Sequence, residues 1–353
     1  KEDINSKGGL EVGGKKYKLE FIYQDNEAKA ESAVNAALKL IEQDGVVAIV
    51  GQRGMGKTAL LRHLHEEFPD TLRLRLPAEG IHALRGELAE ALGADPSASL
   101  EHLAAALNTS ERGRALLLDD VQRFIQPVMG GLAPFDALLD LASRHCTKTT
   151  WVLALDDVIW LFLQRARGAR PLFDRVIRLS PWPEEQIIEL LHARTAQVSL
   201  SPSFEHLRED LPPNADEIDK QDALARCEGN YYRLLWDYAA GNPGVALHMW
   251  RRSLGLDAQG APHVRFFQAP DTTELEALPD PAIFVLRAVM QLAPATTREL
   301  GEATMLSAAD VADALRFALA HGYVATEDER YVITWAWFRP IVLFLQRRHL
   351  LVT

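Results

Sequence analysis

One stretch of the sequence has the residue types and spacing that phosphate chemistry needs: Gly51, Gln52, Arg53, Gly54, Met55, Gly56, Lys57 and Thr58, which fit G-x-x-x-x-G-K-[ST]. Glycines at 51, 54 and 56 permit a tight backbone path that turns successive N–H groups toward an anion. A helix starting just after them adds its positive N-terminal end. In such a loop Lys57 reaches the β- and γ-phosphate oxygens and Thr58 gives its hydroxyl to Mg²⁺, with Ala59 following in the contact set. The competing reading is a glycine turn that holds nothing. An apolar run before the loop and a helical run after it favour Mg-ATP.

Carboxylates recur where a second half of that chemistry would sit. The apolar run 115–118 ends in Asp119 and Asp120, and the run 150–155 ends in Asp156 and Asp157. Asp119 is placed to hold Mg²⁺ through its water shell, and Asp120 to polarise the attacking water as general base. Asp156 is the candidate sensor of the γ-phosphate, although a bare carboxylate there would crowd phosphate charge unless Mg²⁺ or an arginine intervenes. Arg170, with Arg165 and Arg167, is placed to reach a neighbouring subunit's nucleotide as an arginine finger. For each of these the plain alternative is a solvated acidic turn or a solvated basic helix end.

Several elements must position these groups. Residues 46–50 form an uninterrupted apolar run, as expected of a central parallel strand buried on both faces. Further strands are read at 72–76, where Leu72, Leu74 and Leu76 alternate with Arg73 and Arg75, and at 115–118, 150–155 and 176–179. Helical periodicity lies between them, at 57–68, 81–92 and 100–107, so right-handed crossovers and a parallel sheet follow, with functional groups at the C-terminal strand ends. Upstream, 17–23 reads as a strand and 27–43 as a helix. Beyond residue 183 the pattern is helical, at 184–197 and as one long stretch over 221–254, then a loop over 255–273. Helices with a hairpin at 323–334, turning at 327–330, suggest a winged helix. The expected division is an N-terminal segment 1–45, a phosphate-loop core 46–182, a helical lid 183–256 and a winged-helix domain 270–353.

The chain has 353 residues, a formal net charge of −11 and a 48% apolar share, which suits a soluble multidomain protein and argues against non-specific nucleic-acid binding. Cys146 and Cys227 suggest no disulfide framework, and no run is long and apolar enough for a membrane span, so reduced, cytoplasmic residence is expected. His63 and His65 point to different helix faces, which disfavours a metal site. The recognition-helix candidate, 308–321, carries Asp310 and Asp313 beside one arginine, Arg316. A protein-docking or autoinhibitory winged helix is therefore preferred over a DNA reader. Trp335, Trp337 and Phe338 read as core.

Through GQRGMGKT, ALLLDD, WVLALDD, FDRVIRLSPWPEEQIIELL and GNPGVAL, residues 46–254 resemble AAA+ ATPases of the origin-recognition and STAND type. The resemblance implies a five-stranded ASCE sheet of the P-loop NTPase class (α/β) with a helical lid closing over adenine and a C-terminal winged helix. It also implies ATP turnover to ADP coupled to assembly. Gly241, Asn242 and Pro243 resemble the lid motif that packs on the base, which makes Pro243 a further nucleotide-contact candidate. Two departures matter: Gly244 stands where many such lids place an arginine, and Asp120 where many relatives carry glutamate, which favours a slow switch over a fast motor. Residues 1–50 resemble instead part of a branched-chain-amino-acid-type periplasmic binding protein, which suggests a chimera joined at 46–51, although the ligand-contacting residues of that family are absent. The leading expectation is an ATP-dependent switch or scaffold that meets a protein partner or itself. The alternative is a DNA-binding ATPase of replication or transposition type.

Overall fold

The computed structural model describes residues 10–12, 15–17, 45–75, 81–109, 115–126, 128–168, 171–207 and 217–351. The helix read at 27–43, and all of the strand read at 17–23 except Tyr17, lie outside the described residues. Strands β1 (Leu10–Val12) and β2 (Lys15–Tyr17) form a small antiparallel pair that periodicity did not signal.

The centre of the molecule is a five-stranded parallel sheet of the α/β P-loop NTPase fold. Its strands are β3 (Val46–Gly51), β4 (Leu72–Arg75), β5 (Ala115–Asp119), β6 (Thr150–Asp156) and β7 (Arg175–Arg178), in the order β4-β5-β6-β3-β7. Strand β3 is buried along its whole length because it pairs on both sides and is covered on both faces. Val46, Ala48 and Val50 face one hydrophobic layer. Val47 and Ile49 face the other, beneath helix α1 (Lys57–Glu67). That division is what a period of two dictates for a strand with two apolar faces.

Register sets the chemistry. Gly51 stands opposite Asp156 on β6, and Arg75 opposite Asp119 on β5, so the loop and three charged groups leave the sheet at one edge. Helices α2 (Ile81–Leu92), α3 (Leu100–Leu107), α4 (Ala133–Arg144) and α5 (Asp157–Arg167) cover the sheet.

After β7 come α6 (Glu184–Gln197), α7 (Glu217–Ala239) and α8 (Pro243–Ser253). The single helix read over 221–254 is in fact two. Ala240 and Gly241 both take positive φ, at 49° and 68°, and Asn242 then caps α8 by accepting from the Gly244 and Val245 amides. Within the expected loop 255–273 lies a short hairpin, β8 (Leu254–Leu256) with β9 (Pro262–Val264).

A short α9 (Thr273–Glu276) leads to α10 (Asp280–Leu292), α11 (Thr297–Thr304) and α12 (Ala308–Ala320). Then follow the hairpin β10 (Val324–Glu327) and β11 (Arg330–Ile333) and the last helix, α13 (Trp335–Arg347). Asp328 and Glu329, both at positive φ, make the two-residue turn that matches strand twist. Ala295 adds a bridge to Tyr331. One hydrophobic core runs from Leu191, Tyr231 and Met249 of helices α6 to α8 into Val285, Leu315 and Phe344 of the C-terminal helices.

Candidate active site

Backbone conformation builds the phosphate loop. Gly54 and Gly56 sit at φ 90° and 95°, which side chains with a Cβ rarely adopt, and Gly56 delivers the chain into α1. Gly54 is also fixed by what surrounds it: a Cβ there would stand 2.5 Å from Asn242 Oδ1 and 2.9 Å from the Trp335 ring. Lys57 crosses the loop. Its Nζ donates to the Gly51 carbonyl at 2.5 Å and the Gln52 carbonyl at 3.2 Å and lies 3.7 Å from Asp156. The cation beside Asp156 is thus a lysine, where the sequence reading named Mg²⁺ or an arginine. Asp156 also caps α5, accepting from the Val158 amide at 3.1 Å.

Asp119 is almost fully buried. One carboxylate oxygen accepts from the Asp120 amide at 3.1 Å, and the other, Oδ2, has no hydrogen-bond partner. A buried, uncompensated carboxylate oxygen is costly, so Asp119 fits a group that answers a cation's water shell. With Thr58 at the start of α1, it forms the donor set that would hold Mg²⁺.

Asp120, the candidate general base, is held by side chains. It sits in the left-handed region, at φ 57° and ψ 38°. Its Oδ2 accepts from Arg75 Nε at 3.0 Å and lies 3.5 Å from Arg123 Nη2, while Oδ1 accepts from Gln122 Nε2 at 3.0 Å. The bond to Asp120 raises the Arg75 pKa, and burial lowers that of Arg123. Neither Arg75, Gln122 nor Arg123 was singled out in the sequence. Alternation marked Arg75 as a strand residue, but only the register with β5 gives it a partner.

The loop is roofed by later elements. Asn242 Nδ2 donates to the Arg53 carbonyl at 2.8 Å and to Gln52 Oε1 at 3.3 Å, and the Gly244 amide donates to the Gly54 carbonyl at 3.1 Å. Pro243 is buried at the first turn of α8. A Cβ at Gly244 would stand 2.8 Å from Gly54 Cα, so glycine at 244 is a requirement of close approach. Arg53 Nη1 donates to the Ile333 carbonyl at 2.6 Å, and its guanidinium carbon lies 4.5 Å from the centre of the Trp335 ring. Burial lowers the Arg53 pKa, opposed by the Glu327, Asp156 and Asp120 charges. Trp335, read as core, is a structural partner of the loop. Loop, Asp120 and Asp156 share a cavity of about 450 Å³ whose far wall is C-terminal, with Met290, Val332, Phe338 and Val342.

Residues 40–157 match the family model described as an AAA domain. The AAA domain match spans the phosphate loop, Asp119, Asp120 and Asp156. It begins upstream of the junction read at 46–51, which leaves the chimera and its binding-protein half without support. None of the curated proteins compared matches the chain. Among solved structures, the chain aligns with the Orc1 protein of Aeropyrum pernix in complex with DNA at 15% identity, covering 89% of this chain and 94% of that one, with a TM-score of 0.39. Thermotoga maritima RuvB aligns at 17% identity over 95% and 97%, with a TM-score of 0.40. A Walker-type ATPase of Pyrococcus abyssi aligns at 15% over 91% and 97%, with a TM-score of 0.41.

Arg170, the arginine-finger candidate, lies outside the described residues. Of its companions, Arg167 pairs within the chain with Asp136 of α4, and Arg165 is exposed on the last turn of α5. Among the described residues, no helix is long and apolar enough to cross a membrane, and no group of three or more His, Cys, Asp or Glu could hold a metal.

Proposed function

We propose that the chain binds Mg-ATP at Gly51–Thr58 and hydrolyses it slowly, as a nucleotide-dependent switch of the AAA+/STAND kind. The observation that carries this reading is the combination at one strand edge of a phosphate loop, a buried unpartnered Asp119 oxygen and a carboxylate, Asp120, held by two arginines. Loop amides and Lys57 bind the phosphates, which requires Lys57 to exchange its carbonyl partners for phosphate oxygens. Thr58 and Asp119 would hold Mg²⁺, which would supply neutralisation of phosphate charge. Asp120 takes a proton from water once its cationic partners release it. The roof formed by Asn242, Gly244 and Trp335 ties the state of the loop to the C-terminal helices.

Helices α10 to α12, the hairpin and the Ala295 bridge support reading the C-terminal residues as a winged helix. The alternative of a DNA-binding ATPase rests on the same arrangement. Arg316 of α12 is paired with Asp313 on the same helix, and Asp310 answers Ser307, so that helix offers phosphates little. A protein partner or a second copy is the better fit.

Phosphate release from Mg-ATP, measured beside nucleotide affinity, tests the reading. Lys57→Ala should lose both binding and turnover. Asp120→Asn should keep binding and lose about 10²-fold or more in turnover. Turnover that survives both substitutions would sink the assignment.

A further inference from the structure

Helix α8 has a second face. Gly244, Leu247, His248 and Arg251 fall at i, i+3, i+4 and i+7 and so form one stripe. This stripe lines a groove of about 590 Å³, and Arg194 and Val198 at the end of α6 form the opposite wall. Trp335, which also touches the phosphate loop, contributes to the lining. The lining is mostly apolar, and Val198 within it is 70% exposed.

The groove's charge is of one sign. Arg194 and Arg251 are exposed at its rim, and none of its lining residues is a carboxylate. Burial, with the Arg252 and Arg251 charges, lowers the His248 pKa, so the imidazole is neutral near neutral pH and the arginines set the potential. The chain as a whole carries −11. A cationic, apolar groove on an acidic protein repels what most of the surface tolerates and selects the opposite.

We infer that this groove between α6 and α8 docks an acidic peptide segment of a partner protein, apolar side chains lying on Leu247, Val198 and Trp335 and carboxylates meeting Arg194 and Arg251. The apolar floor argues against a nucleic-acid backbone, which has phosphates to offer the arginines but nothing for Val198 and Leu247. The site stands whether or not the loop turns over ATP.

Selection of a phage-displayed random-peptide library on the full chain, followed by fluorescence polarisation of the enriched peptides, tests it. Enriched sequences should combine Asp or Glu with Leu, Phe or Trp. Their binding should weaken by about tenfold or more in Arg194→Glu/Arg251→Glu and in Val198→Asp. Nucleotide affinity of the same variants should match that of the unaltered chain, which reports that they fold. The inference falls if enrichment is absent or basic, or if charge reversal leaves peptide binding unmoved. It also falls if labelled duplex DNA binds more tightly and is lost by the same reversal, or if the groove residues prove to mediate self-association instead.

Discussion

A carboxylate whose two oxygens both accept from side chains has little room left to accept from a water molecule. Asp120 is in that position, and its left-handed backbone, which aspartate tolerates better than most residues, points it toward Arg75 and Gln122. Arg75 reaches it from a different strand and is the more exposed of its two arginines, so it is the partner most easily exchanged. Arg75→Ala should therefore raise phosphate release by about threefold to tenfold with ATP affinity nearly unchanged, since it frees an Asp120 oxygen to accept from the attacking water. A fall in turnover would instead assign Arg75 to phosphate binding. The placement of Asp119, Asp120 and Asp156 at strand ends was legible in the sequence because an apolar run ending in acid is a local pattern. Arg75 was not, because its meaning depends on β4 lying in register with β5, a contact between residues far apart in the chain.

At the scale of elements, Asn242 does two jobs with one side chain. Its oxygen caps α8 and its nitrogen holds the phosphate loop, and it is buried. Asn242→Ala removes the cap and leaves the Arg53 carbonyl short of a donor, for a loss of about 2 to 3 kcal/mol in denaturant unfolding. Nucleotide affinity should fall with it. A smaller loss, about 1 kcal/mol, is expected for Thr296→Ala, which breaks the capping box with Glu299 at the start of α11 and touches nothing near the loop. Equal nucleotide affinity in that second variant would separate stability from site geometry. The break between α7 and α8 was legible in principle: glycine past a helix end, then asparagine and proline, is the stop and start signature. Apolar periodicity continues across it, and periodicity alone gave one helix. By contrast, the hairpin at 324–333 was legible because alternation and a polar turn coincide there.

At the scale of the molecule there are two apolar interiors of different ownership. The sheet and its helices hold one pair of layers, and helices α6 to α8 share the other with the C-terminal helices. The two bodies meet at the phosphate loop, through Asn242, Gly244, Arg53 and Trp335. Residues 179–183 carry the chain between them, steadied by Trp182, whose amide donates to the Gly241 carbonyl and whose own carbonyl accepts from Trp236. Arg53→Ala should loosen the meeting surface without disturbing either interior. Hydrogen exchange should quicken around 330–338 and stay slow at 187–191, and uniform exchange across both stretches would contradict this division. The shared interior also has a practical meaning for anyone dissecting the chain. Cutting in the polar stretch at 257–272, which looks like a linker, would strip Val285, Leu315 and Phe344 from Leu191, Tyr231 and Met249 and leave a lid with half a core. Calorimetry should show two melting units, and the seam to cut along is the narrow one beside Trp182.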